Sequence, residues 1–558
     1  MFGQKEKGIA VLPAEVLVQT EILPGTEIMT DVPGARFVHA HNATSATVLV
    51  PQPTDDPHDP LNWSRWWKLA VTITQGAFVM ISVITNLSIA PLTPIYIAEW
   101  GKSLSQIALL TGVCVLTLGY ANFVIVPCSD VFGRRPTTIV CALLGVAANV
   151  WQASAHSYNS FLGARAFAGI GAAANESMMP IVMADIYFLH QRGKFVGIYF
   201  WCYFIGLMLG PIISGAVAQH TTWRWFFWAC TIAQGLNFVA LCLFFPETRR
   251  LEVAAKSVIA PDQQLTGSID ADYAGDTKTG TEAFHHETLP SALSVEEGIR
   301  TDQYLGRGRP SKSQLGISQS PDRKALRAIV LHIITPIELF FFPIVFWAAM
   351  TMGGAANALL DVNLTQSQVF MAPPYNFAPS SVGYANFALV VGGMIGLAVA
   401  GPWSDWVAAR ATKKNNGIRE PEMRLPALIP FIIAAIVGLT VCGVGYQKHW
   451  PWEAIIIVGF GLVGVQVVAI PTIVTTYAID CYRPVAGQIL VISTVCKNTF
   501  GFGMTYYIND WAIKSGFIPP LMLLMAITCG FATIGLVFFT YFGKTMRRMT
   551  RNAKVHEL

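Results

Sequence analysis

Long apolar runs separated by short polar segments alternate along most of this chain. An apolar run of about 20 residues crosses the hydrocarbon core of a bilayer when it is helical. Backbone polar groups in lipid have to be satisfied within the segment, so we predict that these runs are helices. The twelve predicted spans lie near residues 69–96, 107–127, 137–155, 161–187, 195–218, 223–245, 328–352, 382–402, 425–446, 452–478, 485–508 and 518–542.

The spans fall into two sets of six, because a long polar interval divides them. This interval and the N-terminal tail are rich in Gly, Pro, Ser, Thr and charged residues, a composition typical of disorder. We therefore expect an all-α integral membrane protein with two pseudo-symmetric six-helix bundles. The predicted parts are a largely disordered cytoplasmic tail (1–68), the first bundle (69–246), a disordered cytoplasmic linker (247–326), the second bundle (327–542) and a basic cytoplasmic tail (543–558).

The composition favours a membrane protein and argues against other classes. Charged residues make up 13% of the chain and the mean hydropathy is +0.48, whereas a soluble protein carries roughly 25% charged residues. The ten cysteines form no CxxC pair, so we expect neither a disulfide framework nor a metal site. No basic stretch interleaved with aromatic residues suggests a nucleic-acid partner.

Lysine and arginine residues concentrate in the segments that would lie on one side of the membrane. The short loops on that side hold Arg134, Arg135, Arg192, Lys194, Arg410, Lys413, Lys414, Arg419 and Arg424, and the opposite loops hold Lys102, Arg224, Lys448 and Lys514. Positively charged loops face the cytoplasm. We therefore predict that both termini are cytoplasmic.

Two polar segments interrupt the apolar pattern at equivalent places in the two halves. IVPCSDVFGRRPTT (125–138) joins spans 2 and 3, and AGPWSDWVAAR (400–410) joins spans 8 and 9. Asp130 can accept hydrogen bonds at a helix end, and Gly133 permits a tight turn. Equivalent loops in two halves are typical of transporters built from repeats. The alternative is a solvated basic turn that serves topology alone.

These segments resemble the loop motif of the major facilitator superfamily. The first copy provides Asp130, Gly133, Arg134 and Arg135, with Val126 and Val131 departing from the motif, and the second provides Gly401, Asp405 and Arg410, with Ala408 departing. RAFAGIG (165–171) is similar to the superfamily's span 4 element. GLMLGPIISG, with Gly206, Gly210, Pro211 and Gly215, is similar to its antiporter motif in span 5. Segments 56–68, 419–430 and 477–503 resemble the fungal twelve-span drug:proton antiporter branch.

The resemblance implies roles for these loops. In that superfamily such loops clamp the two halves together at the cytoplasmic side. Asp185, Asp480 and Arg483 are then expected partners of the clamp. The glycine-rich segment of span 5 fits either a rocking interface or ordinary close packing of helices through small residues.

Four charged residues fall within predicted spans, where ionisable groups usually serve a function. Glu176, Glu338 and Lys497 lie near the middle of their predicted spans, and Arg165 lies nearer the outer end of span 4. Arg165 and Glu176 are eleven residues apart, about three helical turns, so both are expected to face a central cavity. The neighbours Asn175 and Asn498 favour a polar cavity.

Two interpretations of these charges remain open. Glu176 and Glu338 could oppose each other across the membrane midplane and exchange protons, because burial favours the protonated form of a carboxyl group. Alternatively, Lys497 neutralises one glutamate and only holds the halves together. The sequence does not decide which glutamate would carry the coupling proton.

The function predicted from these features is proton-coupled secondary transport. Export of a small organic compound, such as a drug or secondary metabolite, fits the antiporter-like span 5. The alternative is import of polyamines or other organic cations by the same fold. An enzyme is disfavoured because no HExxH, GxSxG or Walker pattern occurs, and the last absence also argues against an ATP site.

The expected partners are a small-molecule substrate, protons and the lipid bilayer. We expect a monomer in a fungal plasma membrane that uses the proton gradient and needs no cofactor. Asn363, in the sequon Asn-Leu-Thr, is predicted to lie in the outer loop between spans 7 and 8 and to be the site of any glycosylation.

Overall fold

The chain forms a bundle of membrane-spanning helices in two halves. A computed structural model describes residues 27–28, 56–249, 305–316, 329–415, 418–482 and 485–550. In the first half, span 1 is Arg65–Leu87, span 2 Leu104–Phe132, span 3 Arg134–Ser154, span 4 Tyr158–Ile186, span 5 Leu189–His220 and span 6 Arg224–Phe244. A short helix, Thr93–Trp100, lies between spans 1 and 2.

The second half repeats the pattern with more interruptions. Span 7 is Pro343–Phe370, span 8 Pro379–Lys414, span 9 Ile429–Lys448, span 10 Gly461–Cys481, span 11 Ala486–Ser515 and span 12 Ile518–Met549. A separate helix, Ile329–Phe340, precedes span 7, and short helical turns at Pro421–Leu428 and Ala454–Phe460 lead into spans 9 and 10. Glu27–Ile28 pairs with Ile418–Arg419 as two antiparallel strands.

The predicted twelve-helix fold is confirmed. Ten of the described helices are long and apolar enough to cross a membrane. Spans 4 and 11 are not among these ten, yet their 29 and 30 residues give each a length of about 44 Å. These two helices carry the buried polar residues Asn175, Glu176, Lys497 and Asn498, which lower their average hydropathy.

Local chemistry fixes both ends of span 2 and the junction with span 3. Ser103 starts span 2 with a capping box, because its side chain accepts from the backbone N–H of Gln106 and the Gln106 side chain accepts from that of Ser103. Span 2 ends at Gly133, whose φ of +105° favours glycine. Span 3 follows at once, so the loop is a single sharp corner.

Most of the predicted linker lies outside the described residues, as does most of the N-terminal tail. A described piece, residues 305–316, contacts the segment before span 1. The backbone N–H of Ser64 donates to the Gly308 carbonyl (2.9 Å), and Gly308 N–H donates to the Asn62 carbonyl (2.9 Å). This part of the linker is therefore packed against the entry to span 1.

The two halves meet along two pairs of helices. Span 2 packs along span 11, and span 5 packs along span 8. Twelve crossings put the segments before span 1 and after span 12 on one side of the membrane, which we name the terminus side. The opposite side is named the far side. Between the halves, spans 1, 2, 4, 5 and 11 line a small central cavity.

Candidate functional site

A buried ion pair links the two halves at the centre of the bundle. Lys497 Nζ in span 11 lies 2.5 Å from Glu176 Oε1 in span 4. Their side chains are 8% and 3% exposed. Away from water such a pair is held strongly, because neither charge has solvent as an alternative partner. The pair is therefore a contact that must be rearranged whenever the halves separate here.

Neighbouring polar groups complete the coordination of the Glu176 carboxylate. The Tyr203 hydroxyl in span 5 donates to Glu176 Oε1 (2.8 Å) and accepts from Lys497 Nζ (3.2 Å). Asn498 Nδ2 lies 3.5 Å from Glu176 Oε2. The Lys497 ammonium also lies 5.1 Å from the centroid of the Tyr203 ring, where the ring face attracts a cation. The site thus binds an ammonium group through a carboxylate, a hydroxyl and an aromatic face.

The ion pair borders a small cavity. Its wall includes Asn86 of span 1, Cys114 of span 2, Asn175 of span 4 and Asn498 of span 11. Asn175 is fully buried, and neither its amide nitrogen nor its amide oxygen has a partner among the described residues. Buried amides usually form hydrogen bonds. Asn175 therefore offers one donor and one acceptor group to a bound molecule.

Arg165 does not join this site, contrary to the sequence prediction. Its guanidinium donates to the carbonyls of Leu110 (3.2 Å), Thr85 (3.2 Å) and Asn86, and to Gln152 Oε1 (3.3 Å). These acceptors tie span 4 to spans 1, 2 and 3. Arg165 is fully buried and satisfied by neutral acceptors, so it braces the far side of the first half.

Glu338 also lies elsewhere, so the predicted pairing of Glu176 with Glu338 across the midplane is wrong. Glu338 belongs to the separate helix Ile329–Phe340 and is exposed. Pro336 of that helix lines the same cleft as Asp130, at the terminus side. The apolar run that was predicted to form span 7 contains this helix, a break at Phe341 and Phe342, and only the start of the actual span.

The loop residues of the first half form an ion cluster at the terminus side. Arg134 binds Asp130 at the end of span 2, and its Nε lies 3.4 Å from Asp185 Oδ2 at the end of span 4. Glu247, after span 6, accepts from the backbone N–H groups of Arg134 (2.9 Å) and Arg135 (3.1 Å). A carboxylate at the N-terminus of span 3 is favoured by the helix dipole.

Two more cationic side chains complete this cluster. Arg135 is buried and donates to the carbonyls of Phe245 and Cys242. Arg249 Nη1 donates to the Val131 carbonyl (2.7 Å). The corner between spans 2 and 3 is therefore tied to the ends of spans 4 and 6.

The second half holds an equivalent cluster around Arg424, at the entry to span 9. Arg424 Nη2 lies 3.2 Å from Asp405 Oδ1 of span 8 and 3.6 Å from Asp480 Oδ2 of span 10. The predicted cation Arg410 instead lies over the Trp406 ring at 5.5 Å. Arg483 lies outside the described residues. Each half thus has an arginine at or just before the start of its third helix, between an aspartate of its second helix and one at the end of its fourth.

The ion pairs of these two clusters lie within one half each, among the described residues. The halves approach each other at this level through Asp130 of span 2 and Gln488 of span 11, which line one cleft together with Pro336. The clamp between the halves stays a prediction. The described pairs fix the ends of the helices that would form it.

The glycines of span 5 serve two interfaces. A Cβ at Gly206 would lie 2.7 Å from the Met80 carbonyl oxygen of span 1, and Gly210 likewise packs on Ile84 of that span and on Ser88 directly after it. These two positions pack within the first half.

Pro211 and Gly215 instead lie at the junction of the two halves. A Cβ at Gly215 would lie 2.9 Å from the Pro379 oxygen, and a Cβ at Gly383 would lie 2.9 Å from the Pro211 oxygen. Spans 5 and 8 thus touch backbone to backbone near the far side.

The predicted glycosylation site is corrected by the structure. Asn363 lies inside span 7, is 4% exposed and accepts from Gln366 Nε2 (3.1 Å). The helix continues to Phe370, so the sequon is not in a loop. Asp361, which was assigned to the same loop, is also in span 7 and is fully buried.

Sequence reasoning does not single out three side chains of these sites, nor the buried Asp361. Glu247 falls in the predicted linker and Arg424 in a basic loop, Tyr203 is one of many aromatic residues in the spans, and Asp361 falls in a predicted loop. Only Asp361 had a usable signal. Asn357, Asp361 and Thr365 recur at a helical spacing of four, which indicates a helix with a polar face beyond the predicted end of span 7.

Two six-helix halves around a buried polar cavity define a membrane transporter that binds small molecules within the bilayer. The profile of the Major Facilitator Superfamily matches residues 76–501. The chain belongs to this superfamily.

Similar proteins span nearly the whole chain. An uncharacterized MFS-type transporter, C1271.10c of Schizosaccharomyces pombe, is 29% identical over 87% of both chains. Protein HOL1 of Saccharomyces cerevisiae is 26% identical over 91% of both chains. The "Probable efflux pump mfs2" of Aspergillus flavus is 22% identical over 80% of this chain and 96% of its own length.

Solved structures share the fold. The proton:xylose symporter XylE bound to 6-bromo-6-deoxy-D-glucose aligns with a TM-score of 0.56 at 14% identity, covering 86% of this chain and 96% of that chain. A partially occluded inward-open form of XylE from E. coli gives a TM-score of 0.53 at 12% identity, covering 85% of this chain and 99% of that chain.

Proposed function

We propose that this protein is a proton-coupled secondary transporter that exports a small organic compound by alternating access. The observation that carries the proposal is the buried Glu176–Lys497 ion pair, which joins the two halves beside the cavity. A proton or a cationic cargo on Glu176 removes the charge that holds Lys497. Loading of the site and separation of the halves are thereby linked.

The terminus side is taken to be the cytoplasm, because the arginine clusters lie there. Cargo then enters from the cytoplasm while the halves are closed at the far side. At the far side the cargo leaves and Glu176 accepts a proton, which is returned to the cytoplasm. The similarity to "Probable efflux pump mfs2" supports this direction, as does the antiporter-like sequence of span 5. A fungal plasma membrane is the proposed location.

A second candidate is import of an organic cation. The observation that favours it is the binding of the Lys497 ammonium by Glu176 and by the Tyr203 hydroxyl and ring. An amine from outside would use the same three groups. Import and export thus share one site and differ in whether the proton crosses with the cargo or against it.

A labelled panel of organic amines and neutral organic compounds tests these proposals. Uptake and efflux are measured in cells with and without the protein, each with and without a proton uncoupler. Retention of a compound on deletion supports export, and loss of accumulation supports import. Transport that is indifferent to the uncoupler contradicts proton coupling. The variant Glu176→Gln, which removes the acid of the ion pair, is measured in the same assay. Its control is Glu453→Gln, at an exposed glutamate before span 10.

A further inference from the structure

Asp361 is a buried acid that the proposed transport site does not use. It lies in span 7 of the second half and is fully buried. Neither of its carboxylate oxygens has a hydrogen-bond partner among the described residues. Glu176, by contrast, has Lys497, Tyr203 and Asn498 around it. The two buried acids are therefore in opposite electrostatic situations.

Contacts on either side of Asp361 fix its depth in the membrane. Asn357 Nδ2 donates to the backbone carbonyl of Lys497 (3.0 Å), so it lies level with the central ion pair. Asp361 follows four residues later, about 6 Å further toward the far side. Gln368 Nε2 then donates to Asn509 Oδ1 (2.6 Å), and the Ser367 hydroxyl donates to the Ala90 carbonyl after span 1 (2.9 Å). Asp361 thus lies between the ion pair and the far-side closure.

Within the part of the chain that the structure describes, the helices packed against span 7 supply no free cation at this depth. Span 11 provides Lys497, which is bound to Glu176. Other charged residues on or beside these helices lie away from this depth: Lys448, Glu453, Asp510 and Lys514 toward the far side, and Glu338, Asp405, Arg410, Lys413, Lys414, Asp480, Lys544, Arg547 and Arg548 toward the terminus side. An ionised carboxylate here would have neither water nor a counter-ion.

We propose that Asp361 is a second proton-binding site, whose carboxyl group holds a proton in this conformation and exchanges it with the far side when spans 1 and 7 separate there. The ligand is a proton, and the binding step is ordinary ionisation: the carboxylate accepts a proton from water and returns it to water. That Asp361 holds a proton is inferred from its burial and its lack of partners alone. That this proton takes part in transport rests on the proposed function.

Infrared spectroscopy of the full-length protein at neutral pH, in a detergent without ester groups, tests the proton occupancy. A protonated carboxyl group gives a carbonyl stretch that a carboxylate lacks. We expect this band in the wild type, its loss in Asp361→Asn, and its retention in Asp510→Asn, a matched change at an exposed aspartate of span 11. An unchanged band in Asp361→Asn overturns the inference.

Two further measurements separate misfolding of the variant from loss of the proton, and the proton site from transport. Asn has nearly the shape of a protonated Asp, so Asp361→Asn should fold, and thermal unfolding checks this. If it does not fold, Asp361→Glu keeps an acid and should move the band, and a band that stays in place overturns the inference. A wild type that shows the band but no pH-driven transport leaves the proton site standing and contradicts the proposed function. pH-driven transport by a wild type without the band contradicts only the proton site.

Discussion

At the scale of single residues, the Glu176 carboxylate is satisfied by one cation and two neutral donors in a nearly dry environment. Lys497, Tyr203 and Asn498 come from the opposite half or from span 5, so this one group reports on the relative position of several helices. Removing one member of a buried ion pair leaves an uncompensated charge, which costs about 3–5 kcal/mol. On the proposed mechanism the same residue affects both stability and transport, so the two effects have to be measured separately.

We predict that Glu176→Gln loses transport driven by a pH gradient and unfolds more easily by about 3–5 kcal/mol. Gln keeps the shape and one acceptor oxygen but cannot exchange a proton. The double variant Glu176→Gln with Lys497→Met should regain much of the stability and none of the coupling. Thermal unfolding and flux per folded molecule in liposomes give the two readouts. Gradient-driven transport by Glu176→Gln at the wild-type rate would show that the pair is only structural.

Part of this site could be predicted from the sequence, because charges within an apolar run are rare and costly. That rule found Glu176 and Lys497 with their asparagine neighbours. It placed Arg165 in the cavity wrongly, since helical spacing does not reveal that the carbonyls of Leu110 and Thr85 take its donors. Tyr203 could not be singled out, because its contact with Glu176 exists only once span 5 packs on span 4.

At the scale of helices, the second half shows why span boundaries were harder to predict there. The apolar run before residue 352 begins with the helix Ile329–Phe340, and Pro343 then starts a new helix. Span 7 continues into a segment with Asn357, Asp361 and Gln366, whose polar side chains are buried inside the bundle. A hydropathy average treats such residues as a loop. The fold class was predictable because it depends on the count of apolar runs, whereas a boundary depends on packing.

The two arginine clusters predict matched phenotypes. Arg134→Gln and Arg424→Gln should each reduce transport severalfold while leaving the amount of protein in the membrane nearly normal. Each removes the cation shared by aspartates of two helices. The control is Lys413→Gln, at an exposed lysine near the end of span 8. It removes one positive charge without changing either arginine cluster. Equal loss in Lys413→Gln would mean that net charge, and not the cluster, is what matters.

Asp130→Asn tests the acidic partner in the first cluster. It should impair transport with nearly normal insertion, because the loop remains basic while Arg134 loses its neighbour in span 2. Surface abundance is measured beside flux. Full transport at native abundance would reduce the motif to a topology signal.

The junction of spans 5 and 8 predicts a shift between conformations. In Gly383→Val the added side chain meets the Pro211 oxygen, 2.9 Å from the Cβ position, so closure at the far side is hindered. Cys114 lines the central cavity and is fully buried. In a protein whose only cysteine is Cys114, an impermeant maleimide added at the far side should label Gly383→Val and spare the parent. Equal labelling of the two proteins would argue against this junction as a far-side gate.

At the scale of the whole molecule, the halves touch at three depths. Ser367 and Ala90, with the span 5 and span 8 glycines, meet toward the far side. Glu176 and Lys497 meet at the centre. Asp130 and Gln488 line a shared cleft toward the terminus side. Alternating access requires the outer two sets to break in turn, so this structure is a form in which neither side is widely open.

The placement of span 7 also predicts an absence of glycosylation at Asn363. A buried asparagine within a membrane helix is not accessible to the glycosylation machinery, so glycosidase treatment and Asn363→Gln should leave the electrophoretic mobility unchanged. Asn363→Gln should instead affect packing, because Asn363 accepts from Gln366. A glycosidase-sensitive shift that disappears in Asn363→Gln would contradict the placement of span 7.

The lysine in the central site has a consequence for the return half of the cycle. A carrier whose empty cavity holds an uncompensated negative charge cannot change conformation until it binds new substrate. Such a carrier can only exchange one substrate molecule for another. Here Lys497 neutralises Glu176 when nothing is bound, so the unloaded protein presents a cavity without net charge at that point. A proton on Glu176 releases Lys497, so the return step of the proposed export cycle needs the proton alone. Net export should therefore proceed without any second organic compound moving in the opposite direction.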